Sequence, residues 1–277
     1  MNGSDNTKVV IEAGHNEGRY WIDLWRYREL FYFLSWRDIL VRYKQTMIGI
    51  SWSIIRPLLT MVVFTVVFGK FARLPSEGVP YPILVYSAML PWQFFSNSLS
   101  ESSNSLIANS SMLTKVYFPR LIVPTSSVMV SLVDLCISFL ILVGLMLWYQ
   151  FMPNWHVFAL PLFLILALVA SLGFGFWLAA LNVKYRDFRY VVPFIVQFGL
   201  YISPVGFSTS IVPKKWLLLY SLNPMVGVIE GFRWALLGQD IHIYWPGFLV
   251  SAVLTVLIFL LGLKYFRAME RYFADVI

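Results

Sequence analysis

The 277-residue chain has few side chains that could bind a metal ion or form a disulfide. Its single cysteine, Cys136, lies in an apolar run, so no disulfide can form within the chain. The three histidines, His15, His156 and His242, are scattered and share no ligand spacing with a cysteine or a carboxylate. The sequence therefore predicts no metal site.

Motifs of common enzymes are also missing. No Gly-x-x-x-x-Gly-Lys-Ser/Thr loop occurs, so we do not expect this chain alone to bind and hydrolyse ATP in the usual way. No Ser/His/Asp set or pair of carboxylates suggests a hydrolase, because the acidic residues lie in loops or stand alone. We expect neither enzyme activity nor a cofactor here, and any ATP-driven role requires ATP and magnesium bound by a partner subunit.

Charged residues are scarce, at 13%, whereas 59% of residues are hydrophobic and 18% are aromatic. This composition is far more apolar than that of a soluble domain. Apolar runs of roughly 20 residues, the length that crosses a bilayer, recur along the chain. We therefore predict an all-α integral membrane protein in which residues 45–266 form one six-helix transmembrane domain. The predicted spans are residues 48–69, 81–103, 121–149, 157–181, 190–207 and 246–266.

Four segments are predicted not to cross the membrane. Residues 1–19 are polar and lack a secretory signal, so we expect them in the cytoplasm. Residues 20–44 have aromatic rings on one helical face and charges on the other, which predicts an amphipathic helix in the membrane interface. Residues 211–238 are apolar but split by an Asn-Pro pair into two pieces too short to cross, which predicts two short re-entrant helices. Residues 267–277 form a cytoplasmic amphipathic tail.

The interface helix departs from a clean two-faced pattern at Leu34, which falls on the charged side. A helix packed between the bilayer and the rest of the protein tolerates such a residue. We therefore expect residues 20–44 to contact protein as well as lipid.

The distribution of positive charge predicts the orientation. If the N-terminus is cytoplasmic and six spans cross, all but five of the 21 Lys and Arg residues lie on the cytoplasmic side. The five exceptions are Lys70, Arg73, Lys214, Lys215 and Arg233. The positive-inside rule then places both termini in the cytoplasm. The net charge of +7 is thus explained by topology, and we expect no nucleic-acid partner.

Features within the spans predict helix contacts. Asp134 lies near the middle of the third span, where a charge costs about 2.5–3.5 kcal/mol, so it needs a partner or a proton. It either lines a pore or relays protons, or it makes an interhelical hydrogen bond to a Ser or Asn. Small residues at four-residue steps predict close packing of the fourth span. They are Ala167, Ser171, Gly175 and Ala179.

Short motifs along the whole chain resemble those of one family. Each is weak alone, but their order and spacing together are specific. They are LWRYREL (24–30), WRDILVRYKQTMIG (36–49), Trp52, RPLLT (56–60), YFPR (117–120), NVKYRDFR (182–189), Ser203-Pro, LNP (222–224), GFR (231–233) and ERYFADVI (270–277). The chain resembles the permease subunits of type-2 ABC exporters of O-antigen, capsule and teichoic acid.

The resemblance implies a homodimer in the bacterial inner membrane with two nucleotide-binding ATPase subunits. The pair of permeases would form a channel for a lipid-linked polysaccharide, in the first place an O-antigen on undecaprenyl diphosphate. Export of capsular polysaccharide or teichoic acid is the alternative. A proton-coupled glycan flippase would favour several intramembrane carboxylates and an internal repeat, and a membrane glycosyltransferase would need a carboxylate base or a metal site.

The resemblance also implies positions for contacts with the ATPase and for a gate. Residues 111–118 correspond to a coupling helix, and residues 182–189 to a second cytoplasmic contact. The expected coupling residues are Met112, Leu113, Lys115, Tyr117, Arg186 and Asp187. Residues 211–238 correspond to paired periplasmic gate helices, with Trp216, Asn223, Pro224, Glu230 and Arg233 as gate residues. The last two are spaced i, i+3 and either pair structurally or grip sugar hydroxyls.

The first and fifth spans would line the channel, and both carry aromatic stripes. Aromatic rings stack on the apolar faces of sugars, so these stripes are predicted to contact the glycan, with packing against helices and lipid as the alternative. The predicted channel residues are Trp52, Thr60, Phe64, Phe68, Tyr190, Phe194, Phe198 and Tyr201.

A basic group lies where the interface helix meets the first span. Such cations either contact membrane lipid phosphates, as topology requires, or grip a diphosphate-linked lipid carrier. The group consists of Arg37, Arg42, Lys44 and Arg56.

Overall fold

The computed structural model describes residues 17–44, 49–185, 187–238, 241 and 243–273, and in these ranges every regular element is a helix. In chain order the helices are α1 (Glu17–Arg26), α2 (Arg28–Lys44), α3 (Gly49–Phe64), α4 (Tyr81–Ala108), α5 (Ser110–Leu113), α6 (Ile122–Trp148), α7 (Leu160–Lys184), α8 (Phe188–Ile202), α9 (Lys214–Tyr220), α10 (Pro224–Leu237) and α11 (Trp245–Met269). A π-helical turn, Thr65–Phe71, continues α3, and single 3₁₀ turns precede α7 and follow α11. The predicted all-α architecture is confirmed.

Four helical stretches are long and apolar enough to cross a bilayer. They are Ser53–Phe71, Ile122–Trp148, Trp155–Lys184 and Trp245–Tyr272, which match the predicted first, third, fourth and sixth spans. The fifth predicted span overlaps α8, which has 15 residues and is therefore about 22 Å long, shorter than a hydrocarbon core. The six-span count and the re-entrant character of α9 and α10 stay predictions.

Hydrogen bonds define two ends of the bundle. At one end, which we call the α9 end, Tyr81 at the start of α4 donates to the Gly206 carbonyl, and Tyr220 of α9 donates to the carbonyl of Ile202. At the other, the α5 end, Asn182 of α7 donates to the Ser103 carbonyl near the end of α4. Helices α4 and α8 each run from one end to the other.

Helix α4 is the centre of the bundle, since most of its 28 residues are buried against α6, α7 and α10. Helix α4 is also rich in serine, and buried serine hydroxyls need hydrogen-bond partners. The buried hydroxyls of Ser87 and Ser105 donate to the carbonyls of Leu84 and Ser102 in the preceding turn. Because such bonds satisfy a hydroxyl within its own helix, α4 stays compatible with an apolar environment.

Helix α7 lies between α4 and α11 in close backbone contact with both. A Cβ at Gly173 would lie 2.7 Å from the Phe259 Cα of α11, and one at Gly175 would lie 2.5 Å from the Ser102 hydroxyl of α4. The four small residues predicted to permit this packing are all buried, so that prediction is confirmed. Any side chain beyond hydrogen at these two glycines would push the helices apart.

The predicted interface helix is two helices, α1 and α2, and α2 has one exposed face and one face packed against the bundle. The aromatic face is exposed, with Tyr32 and Trp36 more than half accessible. Leu34 and Ser35 on the opposite side are buried against the bundle. Leu34 therefore departs from the amphipathic pattern because it is buried in the bundle, where α2 packs on α6, rather than exposed to solvent, as expected for a helix held between lipid and protein.

The two-ended arrangement gives a test of the span count. In a Cys136→Ala background, a membrane-impermeant maleimide added to intact spheroplasts should label Ser76→Cys and Ser210→Cys, which lie at the α9 end. Lys115→Cys and Asp187→Cys at the α5 end should react only after the membrane is permeabilised. All four positions are in loops or helix termini, so cysteine there leaves the packing intact.

Labelling of all four positions from the same side would show that neither α4 nor α8 crosses. Labelling of only the α5-end pair from outside would show that the orientation is the reverse of the prediction.

Candidate functional site

The aromatic stripe predicted on the fifth span forms one open face of α8. Tyr190, Phe194, Phe198 and Tyr201 are each more than half exposed in the single chain, whereas Val192 on the other face is buried. The rings of Phe194 and Phe198 lie 4.2 Å apart between centroids. Neighbouring rings at helical spacing therefore offer an exposed apolar surface with a tyrosine hydroxyl near each end. Their contact with a glycan stays a prediction.

The stripe predicted on the first span is not a single exposed face. Phe64 is buried and Phe68 is partly buried, and the two rings pack edge to face against each other. Both lie beside the turn after α8, where a Cβ at Gly206 would lie 2.7 Å from Phe68. Thr60 is partly buried and donates to a carbonyl of its own helix. The side chain of Trp52 lies outside the described residues. The exposed face of α3 is aliphatic, with Leu59, Val62, Val63 and Val67.

The segment predicted as a coupling helix protrudes at the α5 end. Lys115 and Tyr117 are exposed and Met112 is partly exposed, while Leu113 and Phe118 are buried and anchor the segment to the bundle. Val116 joins the exposed side chains. We call Ser111, Thr114, Lys115, Val116 and Tyr117 the α5 surface. Its apolar tip, Val116 with Tyr117, suits contact with another protein.

The α5 surface is tied to the helices behind it. Asn109, immediately before α5, accepts a hydrogen bond from the guanidinium of Arg37 at 2.7 Å and donates to the Ser105 carbonyl of α4 at 2.9 Å. The second predicted contact lies at the same end: Asp187 is exposed beside the start of α8, whereas Arg186 lies outside the described residues. A force applied at the α5 surface therefore reaches α2 and α4 directly.

The basic group predicted to contact lipid phosphates divides into two pairs. Arg37 bonds to Asp38 and Asn109, so its guanidinium faces protein. Arg42 likewise forms ion pairs with protein carboxylates. Lys44 and Arg56 are exposed and accessible to a headgroup. The lipid role of the group stays a prediction, and the structure favours it most for the second pair.

Asp134 has the partner that its position demands. The Arg42 guanidinium of α2 lies 2.8 Å from one carboxylate oxygen, and the Tyr43 hydroxyl donates to the other at 2.5 Å. Ser53 of α3 adds a longer bond of 3.4 Å. Arg42 also reaches the half-exposed carboxylate of Glu101 on α4. The Asp134 carboxylate therefore links α2, α3 and α6, and burial raises the pKa of the Tyr43 phenol that donates to it.

A second junction that the sequence did not reveal joins both ends of the chain. Glu270 after α11 accepts hydrogen bonds from the Tyr20 hydroxyl of α1 and from the backbone N–H of Arg120 before α6. The Arg120 guanidinium donates to the Glu270 carbonyl at 2.7 Å. Burial raises the pKa of Tyr20, whose ring also carries the Arg267 guanidinium 4.5 Å above its centroid. Arg120 of the motif at 117–120 and Glu270, which opens the motif at 270–277, thus meet at the α5 end.

Glu230 and Arg233 form no direct ion pair among the described residues, because each side chain bonds to other partners. The buried Arg233 donates to the carbonyls of Phe207, Val205 and Leu84 at 2.7, 3.0 and 3.3 Å. Glu230 accepts a hydrogen bond from the Thr209 hydroxyl. The i, i+3 spacing permits an ion pair, but the guanidinium of Arg233 binds the three backbone carbonyls instead. Both residues bind the turn after α8 to α10.

The remaining gate residues shape the junction of α9 and α10. Asn223 caps α10 by accepting from the Met225 N–H at 3.0 Å, and its amide donates to the Ser203 hydroxyl. Pro224 fits the first turn of α10, where no N–H is required. Trp216 is half exposed on α9. The Asn-Pro pair that splits this segment is therefore a helix start.

Known proteins resemble this chain over most of its length. The family model described as ABC-2 type transporter matches residues 29–237. An O-antigen export system permease protein RfbA of Myxococcus xanthus is 29% identical over 214 residues, 76% of this chain and 81% of that protein. A protein of the same name from Klebsiella pneumoniae is 25% identical, covering 90% and 95%. The polysialic acid transport protein KpsM of Escherichia coli is 22% identical, covering 85% and 91%.

The ion pair at Asp134 leads to a stability prediction. Arg42→Ala leaves a buried carboxylate without its cation, which should cost about 2–3 kcal/mol, because Arg42 itself is partly exposed. The thermal midpoint of the purified protein should fall by about 5–10 °C. Differential scanning fluorimetry in a neutral detergent measures this change.

Glu101→Gln is the matched control, because its carboxylate is half exposed and its loss should change the midpoint by less than about 2 °C. Arg42→Met combined with Asp134→Leu should recover most of the lost stability. An unchanged midpoint in Arg42→Ala would contradict the role assigned to the pair.

Proposed function

The chain belongs to the ABC-2 type transporter family, and we propose that it is the permease of an ATP-driven exporter that moves lipid-linked O-antigen across the bacterial inner membrane. Its relatives are named for the export of O-antigen and for the transport of polysialic acid. The observation that carries the proposal for this chain is the open aromatic face of α8. Rings that stay exposed in the protomer suit a ligand with alternating apolar faces and hydroxyl edges, as a glycan has.

O-antigen is favoured over other polysaccharides by the comparisons. The two RfbA proteins match at 29% and 25% identity, above the 22% of the polysialic acid protein. Undecaprenyl diphosphate is the proposed carrier, and the exposed Lys44 and Arg56 at the start of the first span supply positive charge for its phosphates. Export of capsular polysaccharide or teichoic acid is the alternative within the same mechanism.

A channel requires a second copy of the chain, and the open side of the protomer supports one. The α3 span is 17% buried, the smallest share among the four candidate spans. Helix α8 is likewise exposed along its aromatic face. Two protomers related by a twofold axis and joined along this side would enclose a passage between their α3 and α8 helices. In this arrangement the four exposed rings of α8 face the passage.

Energy must enter through a separate ATPase, because the sequence has no phosphate-binding loop. The α5 surface and Asp187 lie together at one end of the bundle and form the proposed docking site for two such subunits in the dimer. Two bonds at Asn109 connect this site to α2 and α4. Both termini and this end are proposed to be cytoplasmic, in accord with the positive-inside rule.

A proton-coupled flippase is disfavoured by the environment of Asp134. A relay carboxylate must exchange its proton with a path through the membrane. Asp134 instead holds an ion pair with Arg42 and a short bond from Tyr43. Among the described spans it has no second carboxylate nearer the α9 end to which a proton could pass. The residue therefore fits a structural role.

Export in inverted vesicles tests the proposed function. Vesicles containing the permease and its ATPase should accumulate lumenal polysaccharide with ATP, and should continue after the proton gradient is collapsed. Phe194→Ala with Phe198→Ala should slow accumulation about 5- to 150-fold, since the two lost aromatic contacts cost about 0.5–1.5 kcal/mol each. Copurification with the ATPase should be unaffected.

Leu249→Ala removes an equally exposed apolar side chain from α11 and serves as the control, with transport at the wild-type rate. Accumulation driven by a proton gradient without ATP would reject the ABC mechanism. Normal transport by the double alanine variant would reject the α8 face as a glycan contact.

The α5 surface leads to a separate prediction about the ATPase. Tyr117→Asp places a charge at its apolar tip and should lower the amount of copurifying ATPase at least tenfold, the loss expected from an interface hot spot. Met152→Asp introduces the same charge at an exposed position of the α9 end and should leave the complex intact. Equal retention of ATPase by both variants would show that the α5 surface is not the docking site.

A further inference from the structure

A polar cavity of about 360 Å³ lies at the α9 end, where four segments converge. They are the loop before α4, the turn after α8, the paired helices α9 and α10, and the residues before α11. The volume falls within the usual range for pockets that bind small molecules. The polar side chains that line it include Glu77, Ser208, Thr209, Ser210, Glu230 and Tyr244.

Two carboxyl groups of this cavity are positioned by hydroxyls of one turn. Ser208 donates to Glu77, and Thr209 donates to Glu230. Each of these bonds uses one carboxyl oxygen. Since a carboxylate offers about four acceptor positions on two oxygens, each group keeps acceptor capacity for a ligand. The cavity therefore presents hydrogen-bond acceptors held in place by the turn after α8.

The lining supplies little positive charge to a ligand. Among the described lining residues the cation is Arg233, and each of its three nitrogens already donates to a backbone carbonyl. Its single charge offsets one of the two carboxyl groups, and three of its five N–H donors are used by backbone carbonyls. A ligand with hydroxyl donors finds partners here, whereas a carboxylate on the ligand would meet like charge.

The rest of the lining suits the apolar part of a sugar ring. The side chain of Leu217 and the partly buried ring of Tyr244 border the carboxyl groups. A pyranose combines apolar C–H faces with a rim of hydroxyls, so it matches acceptors placed beside an aromatic ring. A calcium ion is a poorer match, because it needs six to eight oxygen ligands and the described residues contain no group of three or more acidic, His or Cys ligands.

We propose that this cavity binds a single uncharged sugar unit of the exported polysaccharide and discriminates against acidic sugars. The inference rests on the proposed function, since the sugar would come from the chain in transit. Glu77 and Glu230 accept hydrogen bonds from its hydroxyls, and Tyr244 contacts its apolar face. The site thereby gives the α9 end a preference for neutral polysaccharides over carboxylate-bearing ones.

Ligand binding tests the proposal without requiring transport. The complex with its ATPase is placed in lipid nanodiscs, free of glycoside detergents, and saturation-transfer difference NMR is recorded with methyl hexosides. Methyl glucoside, galactoside or mannoside should receive saturation. Methyl glucuronoside, which adds one carboxylate, should bind at least tenfold more weakly. Affinities follow from titration of each glycoside.

Three variants locate the signal in the cavity. Ser210→Trp puts an indole at the exposed rim and should abolish the transfer. Glu77→Gln should weaken binding about tenfold, because it replaces a charged acceptor with a neutral one. Leu218→Trp adds the same indole to an exposed position of α9 outside the lining and should retain wild-type transfer.

Each of the other outcomes rejects a specific part of the proposal. Transfer that persists in Ser210→Trp, or that is absent from the wild type, rejects the cavity as a sugar site. Equal affinity for the glucuronoside rejects the charge preference. If vesicles export polysaccharide with ATP but no hexoside binds, the proposed function stands and the sugar site is rejected. If hexosides bind but ATP drives no export, the sugar site stands and the proposed function is rejected.

Discussion

Direct backbone contact between α7 and its neighbours is the constraint on which the bundle depends. Water is absent between helices in a bilayer, so association relies on close packing and on a few polar bonds rather than on hydrophobic burial. Gly173 and Gly262 let α7 and α11 touch, since a Cβ at Gly262 would lie 2.2 Å from the Gly173 carbonyl oxygen. Gly175 does the same towards α4. With α7 fixed, α4 and α11 are fixed on either side of it.

The polar bonds follow from this packing. Asn182 of α7 can donate to the Ser103 carbonyl and the Asn104 side chain only because α4 lies so near. The polar end of α4 continues into Asn109, where Arg37 of α2 binds, so the central helix and the α5 surface form one connected unit. Asp134 then draws the C-terminal part of α2 against α3 and α6. The close packing of α7 on α4 and the ionic contacts between α2 and α6 thus belong to one connected set of helices.

The features that could be predicted from the sequence are those that depend on residues close together in the chain. Four spans follow from length and apolarity, and the small residues of α7 follow from their four-residue spacing. The cost of a charge in lipid predicts that Asp134 needs a partner. It does not identify Tyr43 as that partner, because Tyr43 lies 91 residues earlier in the chain and no local pattern connects the two. The same limit applies to Phe64, whose inward direction is set by Gly206, and to Arg233, whose partners are carbonyls from distant turns.

The three carbonyl bonds of Arg233 have a mechanical consequence. One guanidinium joins α10, the turn after α8 and the start of α4, and separating any of these from the others requires breaking charge-assisted bonds in a buried place. The three therefore move as a rigid block. Helix α9 lies outside that block: the Tyr220 hydroxyl bonds to the Ile202 carbonyl, and the helix packs against α11. It can therefore shift without breaking any of the three Arg233 bonds.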